Sequence, residues 1–307
     1  MVLHSFNVFK LKKHSQHLLT KLAGFALTIS AMLMSSSIAQ AAYEYDFPVQ
    51  ETEIGRELTD LHHFVFFVCL AIMAFVTVWM FYSIFAHRKS RGVEPAQFSH
   101  STSLEVIWTA IPVLILVVMA IPATKMLVKM EDTTKSDITI KVTGYQWKWQ
   151  YEYLDDNVDF YATMSTPRDQ IDQFNNESQV ELGENYLQET DNHMVIPAGK
   201  KVRLLLTAND VIHAWWVPKL GGKKDAIPGY INEMWIRADE DAIGTYRGRC
   251  AELCGKDHAY MPIVVDVVSQ QDYEKWLAAN AGAASDQIQS VADVKLLPGF
   301  EAVAATQ

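Results

Sequence analysis

Cysteine is scarce: the 307 residues contain three. That excludes a disulfide framework as the source of stability. Charge is thin as well, with 20% Asp, Glu, Lys and Arg in a chain that is 50% apolar. Such a balance is high in apolar residues for a soluble protein and low for a polytopic one. No Cys-x-x-Cys-His occurs, so no covalent c-type haem is attached. There is no phosphate-binding glycine-rich loop, no Gly-x-Ser-x-Gly and no internal repeat. Phosphate-loop nucleotide chemistry, the hydrolase elbow and solenoids are set aside.

Acid is missing from residues 1–41, where the charges are Lys10, Lys12, Lys13 and Lys21. The rest of the chain holds 22 basic and 36 acidic residues, a net of −14. Such a surface repels nucleic acid and attracts basic partners, or serves solubility alone. After Lys21 comes an apolar run to Met34, then small residues ending in Ala39-Gln-Ala41. This reads as an export signal, residues 1–41, cleaved after Ala41. The alternative, an uncleaved third membrane helix, has too short a run.

Phe64 to Ala86 carries no charge, and neither does Val106 to Thr124. Both runs are long enough to cross a bilayer. Pro112 and Pro122 fall inside the second, which membrane helices tolerate. Trp79, Tyr82 and Trp108 suit interfacial positions. The loop between the runs holds His87, Arg88, Lys89 and Arg91 against Glu94. The segment before the first run is acidic, with Arg56 its one base. The positive-inside rule puts the loop in the cytoplasm and both ends outside. Residues 42–129 are thus a transmembrane hairpin, and residues 43–60 show no apolar period. Cys69, alone in the first run, reads as a lipid-facing or packing thiol.

From about residue 135 the apolar period becomes two, as in Ile138-Thr-Ile-Lys-Val142 and parts of Lys201–Thr207. Ile263–Val268 reads as a buried strand. Pro197-Ala-Gly199, Gly221-Gly222 and Pro228-Gly229 punctuate the segment. Short strands so divided predict a sandwich or small barrel over residues 130–280. Residues 154–193 are polar and read as a surface excursion. Asp272–Ala279 reads as a short helix with Tyr273, Trp276 and Leu277 on one face, and residues 281–307 as a tail.

The densest chemistry is Cys250-Ala-Glu252-Leu-Cys254-Gly-Lys-Asp-His258-Ala-Tyr-Met261. His213 lies upstream in Asp210-Val-Ile-His213-Ala-Trp215-Trp216. Soft sulfur with imidazole suits copper. A Cys250–Cys254 disulfide is an alternative in an oxidising compartment. A structural zinc site is another, although zinc favours Cys-x2-Cys and does not use Met. Mononuclear blue copper needs one Cys, so the second thiol favours a dinuclear centre.

These residues resemble subunit II of the haem–copper cytochrome c oxidases, bacterial in style. The match covers most of residues 43–280. Beyond the copper loop it includes Val217-Pro-Lys-Leu-Gly221, Asp225-Ala-Ile-Pro-Gly229 and the aromatic segment Gly144-Tyr-Gln-Trp147-Lys-Trp149-Gln-Tyr151-Glu-Tyr153. The resemblance implies a membrane-anchored all-β chain: a two-helix hairpin, then a cupredoxin-like Greek-key β-barrel. It implies two copper ions (CuA) bridged by Cys250 and Cys254. His213 and His258 would cap one copper each, Met261 would be a weak axial ligand, and the Glu252 carbonyl would serve the other copper. The Glu252 side chain would reach a Mg2+ shared with subunit I. Trp147 would be the electron entry from cytochrome c, with Glu152, Asp155, Asp156 and Asp159 steering that basic donor. Otherwise Trp147 packs the sheet and the acids solvate a loop. Glu105 would stand at a proton-path entrance, or be an acid favouring a helix N-terminus. Tyr230 departs from the pattern, where many members carry a basic residue.

The implied activity is cytochrome c oxidase. Electrons from cytochrome c would pass through this chain to haem in subunit I, where oxygen is reduced to water with proton pumping. The implied partners are subunit I, other oxidase subunits and cytochrome c, and the place a bacterial inner membrane with the copper domain periplasmic. A membrane-anchored copper chaperone or thiol oxidoreductase is the competing class. It would not need Glu252 and Met261, and it would carry an α/β thioredoxin-like pattern. Quinol oxidase subunits II lack the two cysteines. A nitrous oxide reductase would add a propeller domain that 307 residues cannot hold.

Overall fold

A computed structural model describes residues 46–92, 94, 97–171, 185–282, 289–291 and 293. The expected export signal and most of the expected tail lie outside these residues. Two long helices come first, α1 (Glu53–Ala86) and α2 (Thr102–Glu131). At a rise of about 1.5 Å per residue they measure about 51 and 45 Å, against a hydrocarbon layer of about 30 Å. Along the uncharged runs most apolar side chains are exposed, with Trp79, Tyr82, Trp108 and Leu114 all more than half exposed. Cys69 is exposed on α1. Both uncharged runs are therefore spans, and both helices continue past them on the side of the β domain.

That continuation is where the structure departs from the sequence expectation. Residues 43–60 show no apolar period, yet α1 begins at Glu53. Thr52 caps it, its Oγ1 accepting from Gly55 N at 3.0 Å. The first turn is held by the β domain rather than by amphipathicity. Glu51 N donates to Lys219 O at 2.9 Å, and Asp239 N donates to Glu51 O at 3.0 Å. Arg56 pairs with Asp239, and Gln50, Thr52 and Ile54 are buried. Lys129 of α2 bonds both Glu53 (2.6 Å) and Glu57 (2.7 Å) of α1, and its carbonyl accepts from Trp235 Nε1 at 3.2 Å.

The strands are β1 (Ile138–Tyr145), β2 (Lys148–Tyr153), β3 (Val158–Ala162), β4 (Met194–Pro197) and β5 (Val202–Ala208). They continue with β6 (His213–Trp216), β7 (Lys223–Pro228), β8 (Asn232–Ile236), β9 (Gly244–Cys250) and β10 (Pro262–Val268). Together they form a curled sheet in the order β3-β2-β1-β5-β7-β6-β9-β10-β4, with β8 beside β5. Strand β2 shows why: Trp149, Tyr151 and Tyr153 point inward, while Lys148, Gln150 and Glu152 point outward. Strand β5 alternates likewise, burying Val202, Leu204, Leu206 and Ala208. The curl brings the two halves together at Tyr153, whose hydroxyl donates to Val195 O and accepts from Val195 N, both at 2.8 Å.

Residues 154–193 are only partly the expected excursion. Strand β3 lies within them, and Val158, Phe160 and Ala162 enter the core. Burying Phe160 alone contributes about 3 kcal/mol, enough to hold a strand whose outward residues are polar. The short helix expected at 272–279 is α3 (Gln270–Asn280). Ser269 caps it, accepting from Asp272 N, and Tyr273 and Trp276 are buried against the sheet while Leu277 is partly buried.

Candidate metal centre

Three elements bring the ligand set together. His213 opens β6, Cys250 closes β9, and the loop from Cys250 to Pro262 turns back into β10. β6 and β9 pair with Trp215 opposite Cys250, which sets His213 beside the loop. Cys250 Sγ lies 3.9 Å from Cys254 Sγ. His213 Nδ1 approaches Cys250 Sγ at 3.8 Å, and His258 Nδ1 approaches Cys254 Sγ at 3.5 Å. Met261 Sδ is 3.5 Å from Cys254 Sγ, and the Glu252 carbonyl faces Cys250 Sγ at 3.3 Å. Two thiols thus stand at the middle of four further donors, with one imidazole on each. His213, Cys250, Cys254 and Met261 are buried, and His258 is half-buried.

The electrostatics favour cations here. Burial works against a charge on Cys250, but hydrogen bonds from His213 and from the backbone of Ala214 outweigh it and bring the thiol below its ordinary range. Burial and the neighbouring Cys250 push Cys254 up to about 12. A thiolate on Cys250 is favoured over one on Cys254, and a second charge beside the first is resisted, which bound cations would relieve. Burial alone would lower His213; its bonds to Cys250 and Asp210 raise it instead. Asp210 Oδ1 accepts from His213 Nε2 at 2.9 Å, leaving Nδ1 aimed at the sulfur. The donor set fits copper: two soft thiols, two imidazoles and a thioether in a dry pocket. The two thiols carry no disulfide, and the β architecture does not match the thioredoxin-like alternative.

The aromatic segment closes the site. Trp147 Nε1 donates to Cys254 O at 3.3 Å, and Gln146 Nε2 donates to the same carbonyl at 2.8 Å. Trp147 is half-buried, whereas Trp149 and Tyr151 are core residues. Close approach here depends on two glycines. Gly255 has φ +119°, and a Cβ there would stand 3.0 Å from Gln146 Nε2 and 3.1 Å from Trp147 Cζ2. A Cβ on Gly144 would meet His213 Cδ2 at 2.8 Å. Arg168, in a single helical turn at Arg168–Ile171, holds the loop through Asp257 at 2.7 Å.

Asp210, Gln146, Gly144, Gly255 and Arg168 escape a reading that looks for ligand types. Asp210 alone left a signal, three residues before a candidate ligand His. The other predicted residues lie apart from the cluster. The Glu252 side chain is exposed although its carbonyl points inward. Glu105 sits in the first turn of α2 and is exposed. Glu152 and Asp159 face each other outward across β2 and β3, with Glu152 bonded to Lys141 at 2.7 Å. Tyr230 is 60% exposed.

Comparison with known proteins agrees. The family described as cytochrome c oxidase subunit II, periplasmic domain, matches residues 138–268, and its transmembrane domain matches residues 39–126. A probable cytochrome c oxidase subunit 2 of Rickettsia prowazekii is 38% identical over 255 residues, 83% of this chain and 77% of that protein. Cytochrome c oxidase subunit 2 of Cereibacter sphaeroides is 37% identical over 244 residues, 77% of this chain and 80% of that one. The crystallised periplasmic domain of subunit II of Bradyrhizobium japonicum cytochrome oxidase is 40% identical. It covers 48% of this chain and 96% of its own, with a TM-score of 0.41.

Proposed function

The chain belongs to the cytochrome c oxidase subunit II family, and from that premise we propose that it receives electrons from cytochrome c at a dinuclear copper centre. It is a membrane protein and part of an oxidase complex. The observation that carries the reading is the pairing of two buried thiols 3.9 Å apart, each faced by its own imidazole. One metal cannot use that symmetry fully, whereas two metals bridged by both sulfurs can.

Cys250 and Cys254 would bridge, His213 and His258 would cap, and Met261 and the Glu252 carbonyl would complete the set. Bound there, the copper pair supplies a one-electron carrier with the charge shared over both ions. The chain's own residues keep that carrier stiff and dry. Asp210 fixes the ring of His213, Arg168 fixes the loop through Asp257, and the core excludes water. A stiff site changes little between redox states. Trp147 is the entry: its half-exposed ring is bonded through Nε1 to the carbonyl of a bridging cysteine. Electrons leave for haem in subunit I, where oxygen is reduced.

Mg2+ suits the outward carboxylate of Glu252, since hard oxygen ligands suit that ion, but one carboxylate is one ligand. The rest of that site belongs to subunit I. Glu105 serves proton uptake at the opposite end of the membrane part. The copper domain stands on the periplasmic face of the bacterial inner membrane, a placement that the basic loop between the spans supports.

Copper content and electron paramagnetic resonance of the copper-loaded chain test the proposal. Two coppers per chain and a seven-line hyperfine pattern, as two equivalent nuclei require, support it. One copper with four lines, or a labile Cu(I) with a redox-active dithiol, overturns it.

A further inference from the structure

Helices α1 and α2 run antiparallel, so their residues can be matched level by level. Outermost is the ion pair Glu57–Lys129, at 2.7 Å. One turn deeper stand Asp60 on α1 and Lys125 on α2. Both line a single cavity of about 610 Å3 between the helices. Both are exposed, and among the described residues neither has an ion-pair partner. A turn deeper again the lining becomes apolar, with Phe64 from α1 and Pro122 from α2; Leu61 and Met126 complete the inner wall.

The cavity is therefore polar at one end and apolar at the other, in the direction in which the membrane itself changes. Asp60 and Lys125 form no ion pair with each other, and both line the space between the helices. A ligand that satisfies both carries an anion and a hydrogen-bonding cation at one end, and apolar chains at the other. We propose that this cavity binds one amine-bearing zwitterionic phospholipid of the phosphatidylethanolamine kind. Its phosphate meets Lys125, its ammonium meets Asp60, and an acyl chain lies along Phe64 and Pro122. The Glu57–Lys129 pair roofs the headgroup on the aqueous side. A choline headgroup presents no N–H to Asp60, and a glycerol headgroup presents no cation, so both fit less well.

The test uses the intact oxidase complex containing this chain, delipidated in detergent. It is offered phosphatidylethanolamine, phosphatidylcholine or phosphatidylglycerol with identical acyl chains. Retained lipid is counted by native mass spectrometry as the difference between the parent and each variant. One phosphatidylethanolamine per chain should be retained by the parent. Lys125→Gln should weaken its retention about tenfold, the effect of losing one charge-assisted bond. Asp60→Asn should reduce the preference over phosphatidylcholine by a similar factor. Absorption of the copper site reports that each variant is folded. Excess inorganic phosphate should displace nothing. Displacement by phosphate would make this a phosphate site and overturn the lipid assignment. Equal retention of the three lipids, or unchanged retention in both variants, would overturn it as well.

Discussion

Trp147 Nε1 and the carbonyl oxygen of Cys254 are 3.3 Å apart, so the half-exposed indole is hydrogen-bonded to the backbone of a candidate copper ligand. Trp147→Gln removes the ring proposed as the electron entry. Turnover with cytochrome c should fall at least about tenfold, the effect of 1.4 kcal/mol of barrier. The copper spectrum should persist. Trp147→Phe should fall between the two, because it keeps a ring and loses the bond. Stopped-flow reduction of the copper centre checks this, and parent-like rates in both variants would return Trp147 to a packing role.

In the proposed site Asp210 would act on copper through His213, whose Nε2 it holds at 2.9 Å. Asp210→Asn keeps the shape and removes the charge that orients the imidazole. Copper affinity should drop on the order of 10- to 100-fold, the usual effect of losing such a partner. Competition with a chelator measures it. Asp210→Glu should recover part of the loss.

Gly255 tolerates no side chain. Gly255→Ala forces a φ of +119° on a residue with a Cβ and presses it against Gln146 and Trp147. Strain of about 1–3 kcal/mol should appear as a lower unfolding midpoint of the copper-free chain. A slower entry rate should accompany it, because the ring and the loop are pushed apart.

Glu105→Gln should slow oxygen reduction while the copper spectrum stays as it was. Glu105 lies in the first turn of α2, at the other end of the hairpin from the β domain. Oxygen-electrode turnover beside the absorption spectrum tests the pairing. Unchanged turnover would leave Glu105 as a helix-end acid.

His193 gives the domain a pH signature away from the metal. Its Nδ1 meets Asp266 at 2.9 Å and its Nε2 meets Glu189 at 2.8 Å. Burial would lower it, but Asp266 and Glu189 outweigh burial and raise it above its ordinary value near 6.5. A raised folded value means that the protonated ring stabilises the fold. That contribution is complete below about pH 6.5 and is lost as pH climbs through the folded value. Urea midpoints should fall across that window for the parent, and the His193→Gln variant should show a flatter profile.

The candidate metal cluster was legible because Cys, His and Met at those spacings have few other uses. The spans were legible because the uncharged runs exceed what a core helix needs. What stayed hidden depends on distance rather than residue type. Thr52 and Glu51 join α1 to the β domain through backbone bonds, which leave no apolar period behind. Strand β3 needed only Val158, Phe160 and Ala162 to enter the core, and its polar outward face looked like loop. Gly144 in β1 and Gly255 in the loop are ordinary glycines until His213 and Trp147 are seen pressed against them.

Lys129 grips Glu53 and Glu57, and its carbonyl receives the Trp235 indole from β8. A flexible tether would let the redox loop wander relative to the bilayer. Electron tunnelling falls off exponentially with distance, so its average rate would be ruled by rare close approaches. This join ties the outer ends of both helices to the sheet. In the proposed function it would hold the gap between the copper pair and its acceptor nearly constant, so that the transfer rate would be set when the chain folds rather than by each thermal swing.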